Sequence, residues 1–395
     1  MWNPFKKKEE RSLTLDQLIS SQVNTFSGVT VNASTSEKLA TVSSCVGLIS
    51  GTIASMNVHA FNVSDKGQER QTNTNLDSLL NRYSTNSITA YDLKYHLVSQ
   101  ALLRGDGYIQ IIFDHRGSVS ELIPHQSDSV QVKVLPKNRL GYVATNHGKE
   151  IPLTEDEMIH VRLNSLDNMT GRSIISVCRD VVGEGLSQDI TANSQAKNAF
   201  RPSVVLETDS VFQDRSAATR LKEEFKGMYQ GQHKTGSVPL LENGLKLSSV
   251  NVSNLDSQFI EQRCFSVQQI CAMFTVPKAL ITGETGDYDQ LQRQFLNNCI
   301  KPLISNIELA MSSKLIPHRN KNMVQLQFDT SSVYRASPEQ RMKNFDLGLR
   351  AGIYSINECR SMMGLSPVIN GDDVLTPSWM NQVEAVKEKT NETPS

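Results

Sequence analysis

Leu39, Val42, Val46, Ile49, Ile53 and Met56 recur at steps of three and four residues, which lays one apolar stripe along a helix with Cys45 beside it. The stretch VHAFNV that follows predicts a strand, SDKGQER a polar turn, and Leu93 to Arg104 a second helix stopped by Gly105. The alternating segments GYIQIIF, SVSELIP, SVQVKVL and RLGYVAT, separated by HRG, HQSD and PKN, predict an antiparallel β region closed by a strand around MIHVR. The chain up to about residue 165 therefore reads as a mixed α+β body.

From Ser173 the period changes. Ile174, Cys178, Val182, Leu186 and Ile190 recur every four residues along a long helix that turns polar in TANSQAKNA and is ended by Pro202, which lacks the backbone donor. A small α/β insertion follows: a strand in SVVLET, an amphipathic helix from Arg215 to Tyr229, and a hairpin in VPLLENGLKLSSV turning at Asn243-Gly244. A module of this size has little core of its own. A second long helix carries Ile260, Cys264, Val267, Cys271 and Phe274 on one stripe, so two long helices flank the insertion. After VPKALI comes the acidic, glycine-containing TGETGDYD, then a helical pattern from Gln290 to Leu315 with Pro302 in its middle, where a missing donor predicts a kink. The strand MVQLQFD and two short helices close the ordered part, Ser355 and Glu358 having capping-box spacing. The end, EAVKEKTNETPS, is polar enough to read as disordered.

Composition narrows the function. With 40 Lys+Arg against 41 Asp+Glu the net charge is -1, which argues against a basic coat that grips phosphates. The 38% hydrophobic content is lean and suits an elongated or oligomeric protein whose surface is completed by neighbours. The length suggests two or three modules. No apolar run approaches the roughly 18 residues that cross a bilayer, and MWNPFKKKEE leads into polar sequence without a signal-peptide core, so a soluble, unsecreted chain is expected. Six cysteines without C-x-x-C spacing fit reduced thiols at hydrophobic positions better than disulfides or zinc.

No catalytic constellation stands out. H-E-x-x-H, G-x-S-x-G and G-x-x-x-x-G-K-[ST] are absent, and the eight histidines lack metal-ligand spacing, so no enzyme activity, cofactor or metal is expected. Gly105-Asp106-Gly107 and Gly183-Glu184-Gly185 do not continue as dinucleotide fingerprints and read as turn or helix-packing glycines. The acidic loop is either a solvated connector or, if the chain forms a ring, the source of circles of carboxylates. A soluble enzyme holding a hard cation on Glu284, Asp287 and Asp289 is the weaker alternative, because the spacing is not that of a Ca²⁺ loop.

The order of elements, β-rich body, helix, small α/β insertion, helix, flexible loop and kinked helix, resembles the bacteriophage portal protein (head-to-tail connector) family of long-tailed phages. TVSSCVGLISGTIASMNVHAF, LLRGDGYIQIIFDHRGSVSELIPH, NMTGRSIISVCRDVVGEGL, LENGLKLSSVNVSNLDSQFIEQRCFSVQQICAMFTVPKALIT and KPLISNIELAM are similar to family segments and occur in the family's order over most of residues 40–330. Two departures are Gly105-Asp106-Gly107-Tyr108, where relatives commonly read Gly-Asn-Ala/Phe-Tyr, and AFRPS at the end of the first long helix. The resemblance implies an α+β portal fold: an N-terminal arm (1–38), a β-rich wing (39–172), a stem helix (173–201), a small α/β clip (202–255), and a second stem helix with its junction (256–281). A tunnel loop (282–289), a kinked wing helix and strand (290–335), a helical crown (336–375) and a polar tail (376–395) would follow. It also implies a dodecameric ring at one capsid vertex of the virion, assembled in the host cytoplasm, initiating capsid assembly and forming the channel for packaging and ejecting double-stranded DNA. The partners implied are double-stranded DNA without sequence preference, the terminase large subunit, the major capsid protein or scaffold, and a head-completion adaptor. No membrane is implied. Thr282, Gly283, Glu284, Thr285, Gly286, Asp287, Tyr288 and Asp289 would face the channel, Pro302 would set the helix kink, and Arg215, Arg220, Lys222, Tyr229, Asn243 and Gly244 would offer the clip surface to partners. The alternative within reach is a non-portal ring or head-tail adaptor.

Overall fold

The computed structural model describes residues 25, 27–64, 67–71, 75–136, 139–146, 148–198, 204–208, 245–249, 253–320, 323–330 and 338–374. The first part of the N-terminal arm, the Arg215 to Tyr229 helix, the Asn243-Gly244 turn and the polar tail lie outside them. The chain divides into two compact units, residues 1–328 and 329–395.

In the first unit a short helix α1 (Ala33–Ser36) leads into α2 (Ala40–Ser55). All six stripe residues are buried, and Cys45 is buried with them. Strand β1 (Val58–Ser64) turns back into β2 (Gly67–Gln71), with Ala60 opposite Gln71 and Ser64 opposite Gly67. GQERQ is thus an edge strand and not part of a polar turn; the backbone pairing of β1 recruits it whatever its side chains. Helix α3 (Asn75–Asn81), not predicted from the pattern, contributes Asn81, whose side-chain amide accepts from Val58 N at 2.7 Å and donates to Val58 O at 2.8 Å. Helix α4 (Ala90–Arg104) starts three residues before its first apolar repeat, because Thr89 Oγ1 accepts from Asp92 N at 3.1 Å and caps it. It packs along α2, and its buried Lys94 donates to Met56 O at 2.5 Å, satisfying a carbonyl at the α2 C-terminus. Burial pulls the Lys94 ammonium down to about 8.

Strands β3 (Asp106–Phe113), β4 (Val119–His125), β5 (Val130–Leu135), β6 (Arg139–Asn146), β7 (Lys149–Leu153) and β8 (Met158–Arg162) form two antiparallel sheets, β4-β3-β8 and β5-β6-β7, in place of one continuous β region. Gly107 to Ile111 are buried in succession, since β3 is covered on both faces. Gly107 lies against α4, and Tyr108 joins Val130, Tyr142, Ala144, Leu153 and Met158 between the sheets.

The long helix expected from Ser173 is broken. Helix α5 (Ile174–Val177) ends at Cys178, which leaves helical geometry at φ -106° and ψ 36°, and α6 (Arg179–Asn198) begins afresh. Strands β9 (Val204–Thr208) and β10 (Leu245–Ser249) pair antiparallel, and helix α7 (Ser253–Met273) returns alongside α6. Gly185 meets Ser266 and Ile270 while Arg263 pairs with Asp189 at 2.8 Å, so the two helices run antiparallel. A Cβ on Gly185 would lie 3.2 Å from Ser266 Oγ, so this glycine permits the close approach.

Helix α8 (Lys278–Thr282) precedes α9 (Tyr288–Phe295), a π-helical stretch Leu296–Ile300, and α10 (Lys301–Leu315). Strand β11 (Val324–Phe328) then pairs with β1, Val58 opposite Phe328, and closes the unit on its own beginning. Its outer edge is covered by α10: Glu308 Oε1 accepts from Phe328 N at 2.6 Å and Ser312 Oγ from Leu326 N at 3.2 Å. The cysteine stripe is only half right. Cys271 is buried but Cys264 is exposed, although its neighbour Arg263 pairs with Asp189 of α6. All six cysteines are free.

The second unit contains α11 (Pro338–Arg350) and α12 (Ile356–Met362). Ser355 and Glu358 form the predicted capping box, Glu358 N donating to Ser355 Oγ at 3.1 Å and Ser355 N to Glu358 Oε2 at 2.8 Å.

One contact in the first unit is tight enough to test. Gly105 ends α4 in the left-handed region at φ 95°, and an added Cβ would sit 2.7 Å from the Arg172 and Ser173 backbone. Gly105→Ala combines an unfavourable φ with overpacking against main chain, and should cost roughly 2–4 kcal/mol. Chemical denaturation of the full chain measures this; an unchanged midpoint would mean that the crossing relaxes freely.

Candidate functional site

The acidic loop is shorter than its composition suggests, because both ends are capped into helix. Thr282 is the last residue of α8, its Oγ1 donating to Lys278 O at 3.1 Å, and Gly283 is the left-handed C-cap at φ 71° with its N–H on Ala279 O. Asp287 caps α9, accepting from Asp289 N at 3.2 Å and Gln290 N at 3.4 Å, so Tyr288 and Asp289 belong to the first turn of that helix. Five residues, Gly283, Glu284, Thr285, Gly286 and Asp287, remain as loop. Every residue from Thr282 to Gln290 is exposed. Glu284 pairs with Lys278 at 2.7 Å, a hydrogen bond that holds the carboxyl below the usual carboxylate range. Tyr288 is 62% exposed and its hydroxyl accepts from Gln292 Nε2 at 2.9 Å. Of the three acids, then, one neutralises a lysine and one caps a helix. Asp289 alone is an exposed charge to which no cap or ion pair is assigned.

Pro302 stands in the first turn of α10, immediately after the π-helical stretch. The widened turn accommodates the donor that proline lacks and the crowding of its ring on the preceding turn. The helical pattern predicted from Gln290 to Leu315 is thus interrupted by the π-helical stretch Leu296–Ile300, just before Pro302. Leu296, Cys299 and Ile300 are buried there, and Cys299 Sγ donates to Phe274 O at 3.3 Å, tying this turn to the end of α7. Burial pushes the Cys299 thiol up to about 12. The clip residues Arg215, Arg220, Lys222, Tyr229, Asn243 and Gly244 lie outside the described residues; the β9–β10 pair shows where the insertion begins and ends.

The helical hairpin changes character along its length. Near the body Val182, Ile270, Cys271 and Phe274 are buried, whereas towards the insertion Ile190 is 57%, Ile260 62% and Phe265 57% exposed. A shallow depression on that outer face is lined by Gln258, Glu261, Gln262 and Phe265.

Sequence reasoning missed a buried polar network at the base of the hairpin. Asp106 Oδ1 accepts from His160 Nε2 at 2.7 Å and from Gly171 N at 2.7 Å. His160 Nδ1 is 3.2 Å from Tyr142 Oη, and the imidazole stacks on Tyr108 with centroids 4.4 Å apart. The neutral tautomer protonated on Nε2 satisfies both neighbours. Ser173, the cap of α5, donates to Leu103 O at 2.6 Å. Strands β3, β6 and β8 and the launch of the hairpin are therefore fastened together. A lone aspartate between two glycines was the available signal. Burial lowers the His160 pKa and desolvation pushes Tyr142 up to about 12, while the Asp106 carboxylate draws His160 the other way.

These features match known proteins. Residues 40–364 fit the phage portal protein family, and the chain belongs to that family. It is similar to the portal protein of Enterobacteria phage HK97, 23% identical over 343 residues covering 85% of this chain and 80% of that one. The probable portal protein of Streptomyces phage phiC31 is 28% identical over 234 residues, 57% of this chain and 51% of its own. In fold the chain resembles a subunit in the neck of a native gene transfer agent particle computed with C12 symmetry, with a TM-score of 0.55, 21% identity, and coverage of 91% of this chain and 95% of that one. Among the described residues no helix is long and apolar enough to cross a membrane.

The histidine network has a pH consequence. Burial depresses His96, His125 and His160, so the unfolded chain binds more protons than the folded one below the ordinary histidine pKa. The histidine contribution to stability should be flat above about pH 7 and should fall as the pH drops below about 6.5 towards the lowered folded values. Thermal melts between pH 7.5 and 5.5 check the sign. A melting temperature that rises on acidification would show that Asp106 outweighs burial.

Proposed function

We propose that this chain is the subunit of a portal ring at one vertex of a phage capsid, through which double-stranded DNA enters during packaging and leaves during ejection. The observation that supports it best is the antiparallel pair α6 and α7, buried at the body and apolar but uncovered towards the inserted clip. Neighbouring copies in a closed ring would cover Ile190, Ile260 and Phe265, and the family match together with a relative from a C12 assembly favours a ring of twelve. The stem helices would line the channel, and the clip would meet the terminase large subunit during packaging and a head-completion adaptor afterwards. Weak contacts repeated around the ring would gain from multivalency. The wing would contact the major capsid protein or scaffold.

The loop between α8 and α9 is the element proposed to reach into the channel. A near-neutral chain with exposed acids there would keep phosphate contacts weak and non-specific, letting DNA slide. Because Glu284 and Asp287 have structural partners, Asp289 is the charge to exchange and Tyr288 the bulky contact beside it. Screening acts over about 10 Å at 0.1 M salt, so only groups close to the duplex should register.

A packaging extract lacking its own portal protein tests both levels. The wild-type chain should restore filled heads. Asp289→Lys should form rings but package more slowly at low salt, recovering as salt is added, since a new cation binds phosphate by releasing counterions. Failure of the wild type to support filling in an extract of its own phage would contradict the portal role. Equal rates for the two at low salt would remove the loop from the channel.

A further inference from the structure

The helical hairpin joins the body through an irregular residue in each leg. Cys178 interrupts the first leg between α5 and α6. In the second leg Thr275 follows α7 at φ 57°, a left-handed conformation that a β-branched residue resists. Its N–H donates to Ala272 O at 2.9 Å, and the next amide, Val276 N, donates to Cys271 O at 2.9 Å. Both residues lie at the body end of the hairpin, near the buried Val182, Ile270, Cys271 and Phe274. Two paired helices with one irregular residue at the base of each leg have the layout of a hinge.

One side of α6 is held by the stretch before α1. Thr25 and Val31 are buried, and between them the chain folds back on itself. Gly28 N donates to Thr25 O at 2.8 Å with Gly28 in the left-handed region at φ 73°, while Thr25 Oγ1 donates to Val29 O at 2.8 Å and lies 2.7 Å from Ser27 Oγ. Asn32 then caps α1, its Oδ1 accepting from Thr35 N at 2.8 Å, and ties the far end of this turn to the helix that leads into α2. The turn rests on Gly183 of α6, where an added Cβ would fall 2.7 Å from both Oγ1 and Cγ2 of Thr25. Gly185, two residues on and so about 200° round the helix, meets Leu39, Ser266 and Ile270 instead. Helix α6 is therefore gripped from opposite sides. Each of the two glycines gives up helix propensity for a contact that a side chain would close.

We propose that residues 25–31 are a latch on this hinge: with Thr25 seated on Gly183 the hairpin is fixed to the body, and with the seat empty α6 and α7 pivot together on Cys178 and Thr275. The latch is small and is held in shape by its own turn hydrogen bonds, so it separates from α6 more easily than the core opens. It acts within one chain and does not depend on the ring reading. The N-terminal stretch thereby controls the direction of the hairpin and of β9 and β10, which the hairpin carries.

Hydrogen exchange read by mass spectrometry tests this on the full chain, comparing Gly183→Ala and Thr25→Gly with the wild type in the same oligomeric fraction. Alanine is the better helix former, so without a latch Gly183→Ala slows exchange in α6. With the latch, the new Cβ unseats Thr25. Amides of residues 182–190 together with those of Thr275 and Val276 should then exchange at least about fivefold faster in both variants, while α2 and β3 keep their protection. Slower or unchanged exchange of 182–190 in either variant would overturn the proposal. Faster exchange confined to 182–190 overturns it too, because α6 would then fray alone without a pivot at Thr275. Loss of protection in α2 and β3 as well would make the turn part of the core and likewise contradict a latch.

Discussion

The direction of the helical hairpin is set where three stretches of backbone cross. The end of α4, the start of β3 and the segment before α5 meet at Gly105, Gly171 and Ser173, so closely that a Cβ on Gly171 would fall 2.0 Å from Gly105 O. Glycine supplies the space, and the Asp106 carboxylate supplies the fastening by accepting from Gly171 N and His160. A buried carboxylate persists in such a place only when its lone pairs are used. The same crossing orients α5 and, through it, the start of α6. If the crossing gave way, the two sheets would remain folded while α5 and α6 lost their direction.

A second constraint explains the lean composition. Among the described residues the chain buries apolar side chains fully at the centre of the first unit, partially along the hairpin, and hardly at all around α11 and α12. A monomer with such a surface carries an association liability; a subunit of a closed ring turns the same residues into interface. Near-neutral charge fits the same picture, since a conduit for DNA benefits from weak contact with phosphates and needs no basic coat.

Much of the first unit was legible because its elements are apolar where they are buried. The stripe Leu39 to Met56 carries its burial as helical periodicity, the strands VHAFNV, GYIQIIF and MIHVR are marked by short apolar runs, and the long helices on either side of the insertion show their stripes where they touch the body. The failures share a physical cause, which is stabilisation that does not run through apolar side chains. Strand β2 is polar because it pairs at an edge through its backbone. Helix α3 is the exception, burying Leu79 and Leu80 on a helix too short to show a stripe, while the acidic loop shrinks because Asp287 and Gly283 act as caps. The Asp106 network depends on a tertiary crossing that local sequence does not encode. Cys264 followed the periodicity of α7 yet is exposed, since periodicity shows that a face is apolar and not what covers it.

The central claim is that α6 and α7 are stem helices of a ring with an axial channel. Electron cryomicroscopy of the purified full-length chain addresses it directly. The account predicts a closed ring in which the α6–α7 pairs of successive copies stand side by side around an open axis, with the Gly283–Asp287 loop near its narrowest point. A monomer, or a ring whose axis is filled and whose α6–α7 pairs point outward into solvent, would contradict it.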